Sequence, residues 1–142
     1  MKWAALISWV VTAGGGSVLL AIWLSRGGMR QQREVGNRIR TPLIMSHFLL
    51  AAGGLVVWIV YLISDQKALA WIALAGLAVV ALLGFTMLSI WLRRRQGRVA
   101  TTETTTPGTP AEQHFPVPVV VLHGLLAVVT LVLVLLTAAG VG

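Results

Sequence analysis

Four long apolar runs, 3–25, 41–64, 68–92 and 115–142, occupy most of the chain, and none contains a charged residue. Each exceeds the roughly 20 residues that a helix needs to cross a hydrocarbon layer. The runs show no alternation of apolar and polar positions, so barrel strands are excluded and all four are predicted to be helices. The first continues too far past Val11-Thr12-Ala13 for a cleaved signal peptide and is read as a spanning helix. The predicted fold is therefore all-α: one transmembrane domain, an up-down bundle of four helices.

The segments between the runs set the orientation. Nine of the eleven basic residues fall on one side: Arg26, Arg30, Arg33, Arg38 and Arg40 before the second helix, and Arg93, Arg94, Arg95 and Arg98 after the third. Lys2 and Lys67 lie on the other, with Asp65. The positive-inside rule makes the arginine side cytoplasmic and puts both termini outside, in what is expected to be a bacterial plasma membrane. Segment 99–113 is rich in threonine, with Pro107, Gly108 and Pro110, and reads as a flexible cytoplasmic loop that leaves His114 solvated. Trp3, Trp9, Trp58, Tyr61 and Trp71 towards the outer interface, and Trp23 and Trp91 towards the inner one, read as aromatic belts.

Composition agrees. With 57% hydrophobic and 11% charged residues the chain departs far from a soluble globule, and its net charge of +7 is accounted for by topology and lipid headgroups, not nucleic acid. The absence of cysteine excludes disulfides, thiolate metal sites and cysteine nucleophiles. No catalytic constellation is assembled: Asp65 is at the opposite membrane face from His47 and His123, and Gly14-Gly15-Gly16-Ser17, lying mid-span, cannot be a phosphate loop. The first span also lacks the acidic residue on which small multidrug exporters depend.

An internal repeat carries the candidate chemistry. Ile22-Trp23-Leu24 and Ile90-Trp91-Leu92 close the first and third helices at an offset of 68, while Pro42 with His47, Leu49, Leu50 and Ala51 recurs as Pro118 with His123, Leu125, Leu126 and Ala127 at an offset of 76. The chain thus reads as two repeated antiparallel hairpins. Proline suits a first helical turn, so each histidine lies five residues, roughly 7.5 Å, inside its helix and level with the other. In an up-down bundle these two helices are diagonal, and inward-facing imidazoles could reach one central object.

Three readings of that pair remain open: the axial ligands of a single b-type haem, a quinone or proton site, or structural hydrogen bonds to Ser46, Thr86 or Ser89. In the haem reading Arg38 or Arg40 would meet the propionates, the helix glycines would give room, and Met87 is a less favoured ligand. Zinc would need about four ligands, which the spans do not supply. The function expected is a small electron-transfer or anchor subunit with a bis-histidine haem. The alternative is a cofactor-free accessory protein within a larger membrane complex or a homo-oligomer.

At the repeated motif, and at Phe115-Pro116-Val117-Pro118 leading into Leu122-His123-Gly124, the chain resembles small four-helix inner-membrane proteins of high-GC bacteria, a group of uncharacterised function. That resemblance covers most of the chain and implies a fold but no activity. His47 and His123 are also similar in placement to the haem-bearing anchors of respiratory complexes, which implies one haem at most.

Overall fold

The computed structural model describes residues 1–30, 39–101 and 110–141, with the last turn of the third helix (97–101) described by its backbone. It is all-helical: α1 (Lys2–Ser25), α2 (Thr41–Ser64), α3 (Lys67–Thr101), a short 3-10 turn (Ala111–His114) and α4 (Val117–Ala138). All four α-helices are long and apolar enough to cross a membrane.

Local chemistry explains the ends. Pro42 and Pro118 sit in the first turns of α2 and α4, where their missing N–H costs nothing. Helix α1 closes in a Schellman motif: Gly27 takes φ 76°, and the N–H groups of Gly28 and Gly27 reach the carbonyls of Trp23 and Leu24 at 2.9 and 3.1 Å. Gly140, at φ 79°, closes α4 in the same way, so that helix occupies 117–138 and not the whole of 115–142. Helix α3 runs nine residues past Leu92, because the arginines that follow are good helix formers and one of them, Arg95, lies 5.4 Å over the Trp91 ring one turn back.

The helices form a ring in chain order. Helix α2 packs most extensively along α3 and α1 along α4; α3 also meets α4, and α1 meets α2 least. The remaining pairs, α1 with α3 and α2 with α4, are the diagonals. The closest partners are thus not the helices predicted to pair within each hairpin.

Burial repeats along the chain. The buried residues of α1, namely Ala5, Trp9, Thr12 and Trp23, are matched by buried Ala73, Leu77, Val80 and Trp91 of α3, each 68 positions on (73 − 5 = 68). Trp58 and Tyr61 of α2 are matched by Val134 and Thr137 of α4, each 76 positions on (134 − 58 = 76). This corrects the aromatic assignment: Trp3 and Trp71 are exposed as a belt requires, but Trp9, Trp23, Trp58, Tyr61 and Trp91 are core residues.

The segment read as a solvated loop also differs where it is described. Ala111 and Glu112 are buried, in a 3-10 turn that packs against α1 and α3. The Trp91 indole N–H donates to the Glu112 carbonyl at 3.1 Å, and the Glu112 carboxylate accepts from the Ile39 N–H at 3.4 Å. His114 is half-buried, with an Nδ1 that is shielded and has no protein partner, and so is not a solvated side chain.

The turn after α1 offers a direct test of packing. A Cβ on Gly28 would lie 2.2 Å from Cε2 of the fully buried Trp23 ring, whereas one on Gly14 would meet nothing within 4 Å. Gly28→Ala is therefore expected to lower stability by about 1–3 kcal/mol through overpacking, and Gly14→Ala to be tolerated. Thermal unfolding in detergent measures both, and equal midpoints would contradict the packing described.

Candidate functional site

The two histidines meet at the centre of the bundle. His47 of α2 and His123 of α4 reach inward from diagonal helices until their ring centroids are 6.3 Å apart, with the planes inclined at 64°. Both side chains are half-buried.

Each ring is held by the neighbouring helix through its backbone. His123 Nδ1 lies 2.9 Å from the Thr12 carbonyl oxygen of α1, and His47 Nδ1 lies 3.0 Å from the Val80 carbonyl oxygen of α3. A carbonyl only accepts, so both Nδ1 atoms carry hydrogen, and in the neutral ring each Nε2 keeps its lone pair. Ser46, Thr86 and Ser89, the expected structural partners, are not used: Thr86 and Ser89 bond the carbonyls of Leu82 and Phe85 on their own helix.

Two glycines make this approach possible. A Cβ on Gly16 would stand 2.9 Å from His123 Cε1, and one on Gly84 would stand 3.0 Å from His47 Cε1. A side chain at either position would therefore require the imidazole to shift. The two sets of contacts share one register: Thr12 and Gly16 lie 68 positions before Val80 and Gly84, and His47 lies 76 before His123. Gly16 and Gly84 are among the helix glycines expected to give room, whereas the two backbone carbonyls had no signal in the sequence reading; extending the Ile-Trp-Leu register back by six residues aligns Gly16 with Gly84.

Other candidate residues fare differently. Arg40 is the exposed N-cap residue of α2, seven residues before His47, while Arg38 lies outside the described residues. Among the described residues no group of three or more His, Cys, Asp or Glu is placed to share a metal ion. The protein therefore brings two imidazoles together, which suits a metal whose other ligands arrive with a cofactor and does not fill a four-ligand zinc shell.

At the opposite end of the bundle from Trp23 and Trp91, a cavity of about 150 Å³ is lined by Lys2, Tyr61, Asp65, Lys67 and Thr137. Lys2 forms an ion pair with Asp65 and sits 5.2 Å over the Tyr61 ring. The hydrogen bond from Lys2 holds the Asp65 carboxyl below its ordinary range.

Four helices long and apolar enough to span a bilayer are the pattern of a multi-pass membrane protein, and its inner feature is a histidine pair. No family model, curated protein or solved structure matches the chain.

Proposed function

We propose that the protein is a small electron-transfer or anchor subunit of a bacterial plasma membrane that holds one b-type haem between His47 and His123. The observation that carries this reading is the geometry of the pair. With metal–nitrogen bonds of about 2 Å and roughly 1 Å from each nitrogen to its ring centre, two imidazoles on opposite sides of one ion have centroids about 6 Å apart. The observed separation is 6.3 Å. Metal-bound histidines also usually donate their other N–H to a carbonyl or carboxylate, and both Nδ1 atoms here are engaged in that way.

In this reading His47 and His123 would hold the haem iron, the carbonyls of Val80 and Thr12 fix the ring orientations, and Arg40 or Arg38 would offer positive charge to the propionates. A bound haem supplies one-electron transfer. The shared register of buried residues, histidines, carbonyls and glycines supports an origin by duplication, with α1 and α2 related to α3 and α4 by an axis along the membrane normal. The second helix of each half packs chiefly on the first helix of the other, so the halves interlock.

The same two hydrogen bonds also favour a cofactor-free scaffold, in which each histidine only staples α2 to α3 or α4 to α1 within a larger complex or homo-oligomer. An optical spectrum of protein expressed with ample haem separates the two: a low-spin haem spectrum supports the first, and a colourless protein that binds its partner complex supports the second.

The proposed topology places both termini and the Asp65 turn outside. A cysteine replacing Gln66 is then expected to react with an impermeant reagent in whole cells, and one replacing Thr104 to react only after the cells are opened. The reverse pattern would invert the bundle.

A further inference from the structure

The cavity at the Lys2–Asp65 end of the bundle takes no part in the histidine chemistry, yet every helix contributes to it. Lys2 begins α1, Tyr61 lies in the last turn of α2 and Asp65 caps it, Lys67 begins α3, and Thr137 lies in the last turn of α4. Tyr61, Ala70 and Thr137 are buried and floor the cavity, whereas the Lys2 and Asp65 side chains stand 40% and 74% exposed at its mouth. The volume is about 150 Å³. The charges alternate: the Asp65 carboxylate is paired with Lys2 and also feels the positive charge of Lys67. A simple anion would meet Asp65 and a simple cation would meet two lysines, so the lining suits a ligand that carries both signs.

The chain itself already places one such charge there. The Lys2 ammonium bonds to Asp65 and lies 5.2 Å over the Tyr61 ring, so the carboxylate and the aromatic face together accept a primary ammonium. With most of its surface exposed, the Asp65 carboxylate has room for a second one. The level of the cavity points to what brings it. Trp3, next to Lys2, and Trp71, one turn beyond Lys67, are exposed, and amphipathic rings of this kind sit among lipid headgroups. Ile63 and Ile72 are exposed at the same end and offer apolar surface to acyl chains.

We propose that this cavity holds the headgroup of one phospholipid whose phosphodiester is followed by a primary ammonium, as in phosphatidylethanolamine. The phosphodiester lies between Lys67 and Lys2, and the ammonium donates to Asp65; Lys2, with three N–H donors, bridges the two. A quaternary ammonium has no N–H to give Asp65, and a glycerol headgroup has no positive charge, so phosphatidylcholine and phosphatidylglycerol each lose that contact. The inference rests on the helices spanning a bilayer and not on the haem.

Native mass spectrometry of the full-length protein, stripped of lipid in detergent and titrated with phospholipids of one acyl composition, tests the site. One phosphatidylethanolamine is expected to bind about fivefold more tightly than phosphatidylcholine or phosphatidylglycerol, the scale of one exposed charge pair. Asp65 takes φ 54°, a left-handed conformation that asparagine also enters readily, so Asp65→Asn removes the charge and keeps the turn. It is expected to abolish the preference over phosphatidylcholine. Lys67→Gln is expected to weaken all three lipids, and Lys67→Arg to retain them, because the phosphodiester is common to all. Stepwise N-methylation of the headgroup repeats the test on the wild-type protein: affinity is expected to fall to the phosphatidylcholine value once the last N–H is gone. Equal affinity for the three lipids in the wild type, or an unchanged preference in Asp65→Asn, would overturn the site. Soluble glycerophosphoethanolamine or inorganic phosphate binding as tightly as the lipid would overturn the phospholipid as occupant. Haem and lipid add different masses, so loss of either is read separately: a haem-free protein with the expected lipid preference would overturn the haem reading and leave the headgroup site standing.

Discussion

Replacing either His47 or His123 with alanine is expected to abolish low-spin haem absorbance while leaving a folded protein in the membrane. A low-spin b haem needs two strong nitrogen ligands from the protein, and in the proposed site each half would contribute one, so the single variants should lose as much absorbance as the double. Such non-additivity is the mark of two groups acting as a unit. The fold should survive because each substitution removes one interhelical hydrogen bond, and such bonds average about 0.6 kcal/mol in membrane helices. The Val80 and Thr12 carbonyls are backbone groups within α3 and α1. Absorbance retained by both single variants, or a wild-type protein that stays colourless with haem in excess, would refute the assignment.

Trp58→Ala is expected to cost at least about 2 kcal/mol, even though a bilayer removes most of the water-transfer component of such a change. Trp58 is fully buried, with its ring 6.4 Å from Trp9 and 4.9 Å from Tyr61, in the same cluster as Ala5, Ala73 and Val134. Truncation leaves a cavity among rigid neighbours, and the lost dispersion contacts are not replaced. Trp58→Phe separates volume from polarity. It keeps most of the ring and removes the unpartnered N–H, so it is expected to be nearly neutral. Denaturation of the three proteins in the same detergent would show the difference, and equal losses for Ala and Phe would mean that the indole N–H has a partner.

Much of this site could be read before any coordinates. The proline that starts each of α2 and α4, and the histidine five residues later, placed the two imidazoles at one depth, because helical rise and first-turn geometry are local properties. The same reasoning misplaced the aromatic residues. Trp23 and Trp91 were assigned to the interface from their position near a span end, but depth along a helix says nothing about which way a side chain turns around it. That direction is set by the neighbouring helix.

The chain's apolar pattern alone determined four helices long and apolar enough to cross a membrane, their order and the level of the histidines, because hydrocarbon length and backbone hydrogen bonding act on each segment by itself. Tertiary structure decided the rest. It chose the carbonyls of Thr12 and Val80 as the histidines' partners, made Gly16 and Gly84 the points of closest approach, and drew Glu112 under Trp91. It also paired α1 with α4 and α2 with α3 more closely than the helices of either half. These outcomes depend on how side-chain volumes fit across helix interfaces, where the missing Cβ of Gly16 and of Gly84 leaves room for an imidazole, and that fit belongs to pairs of segments and to neither one alone.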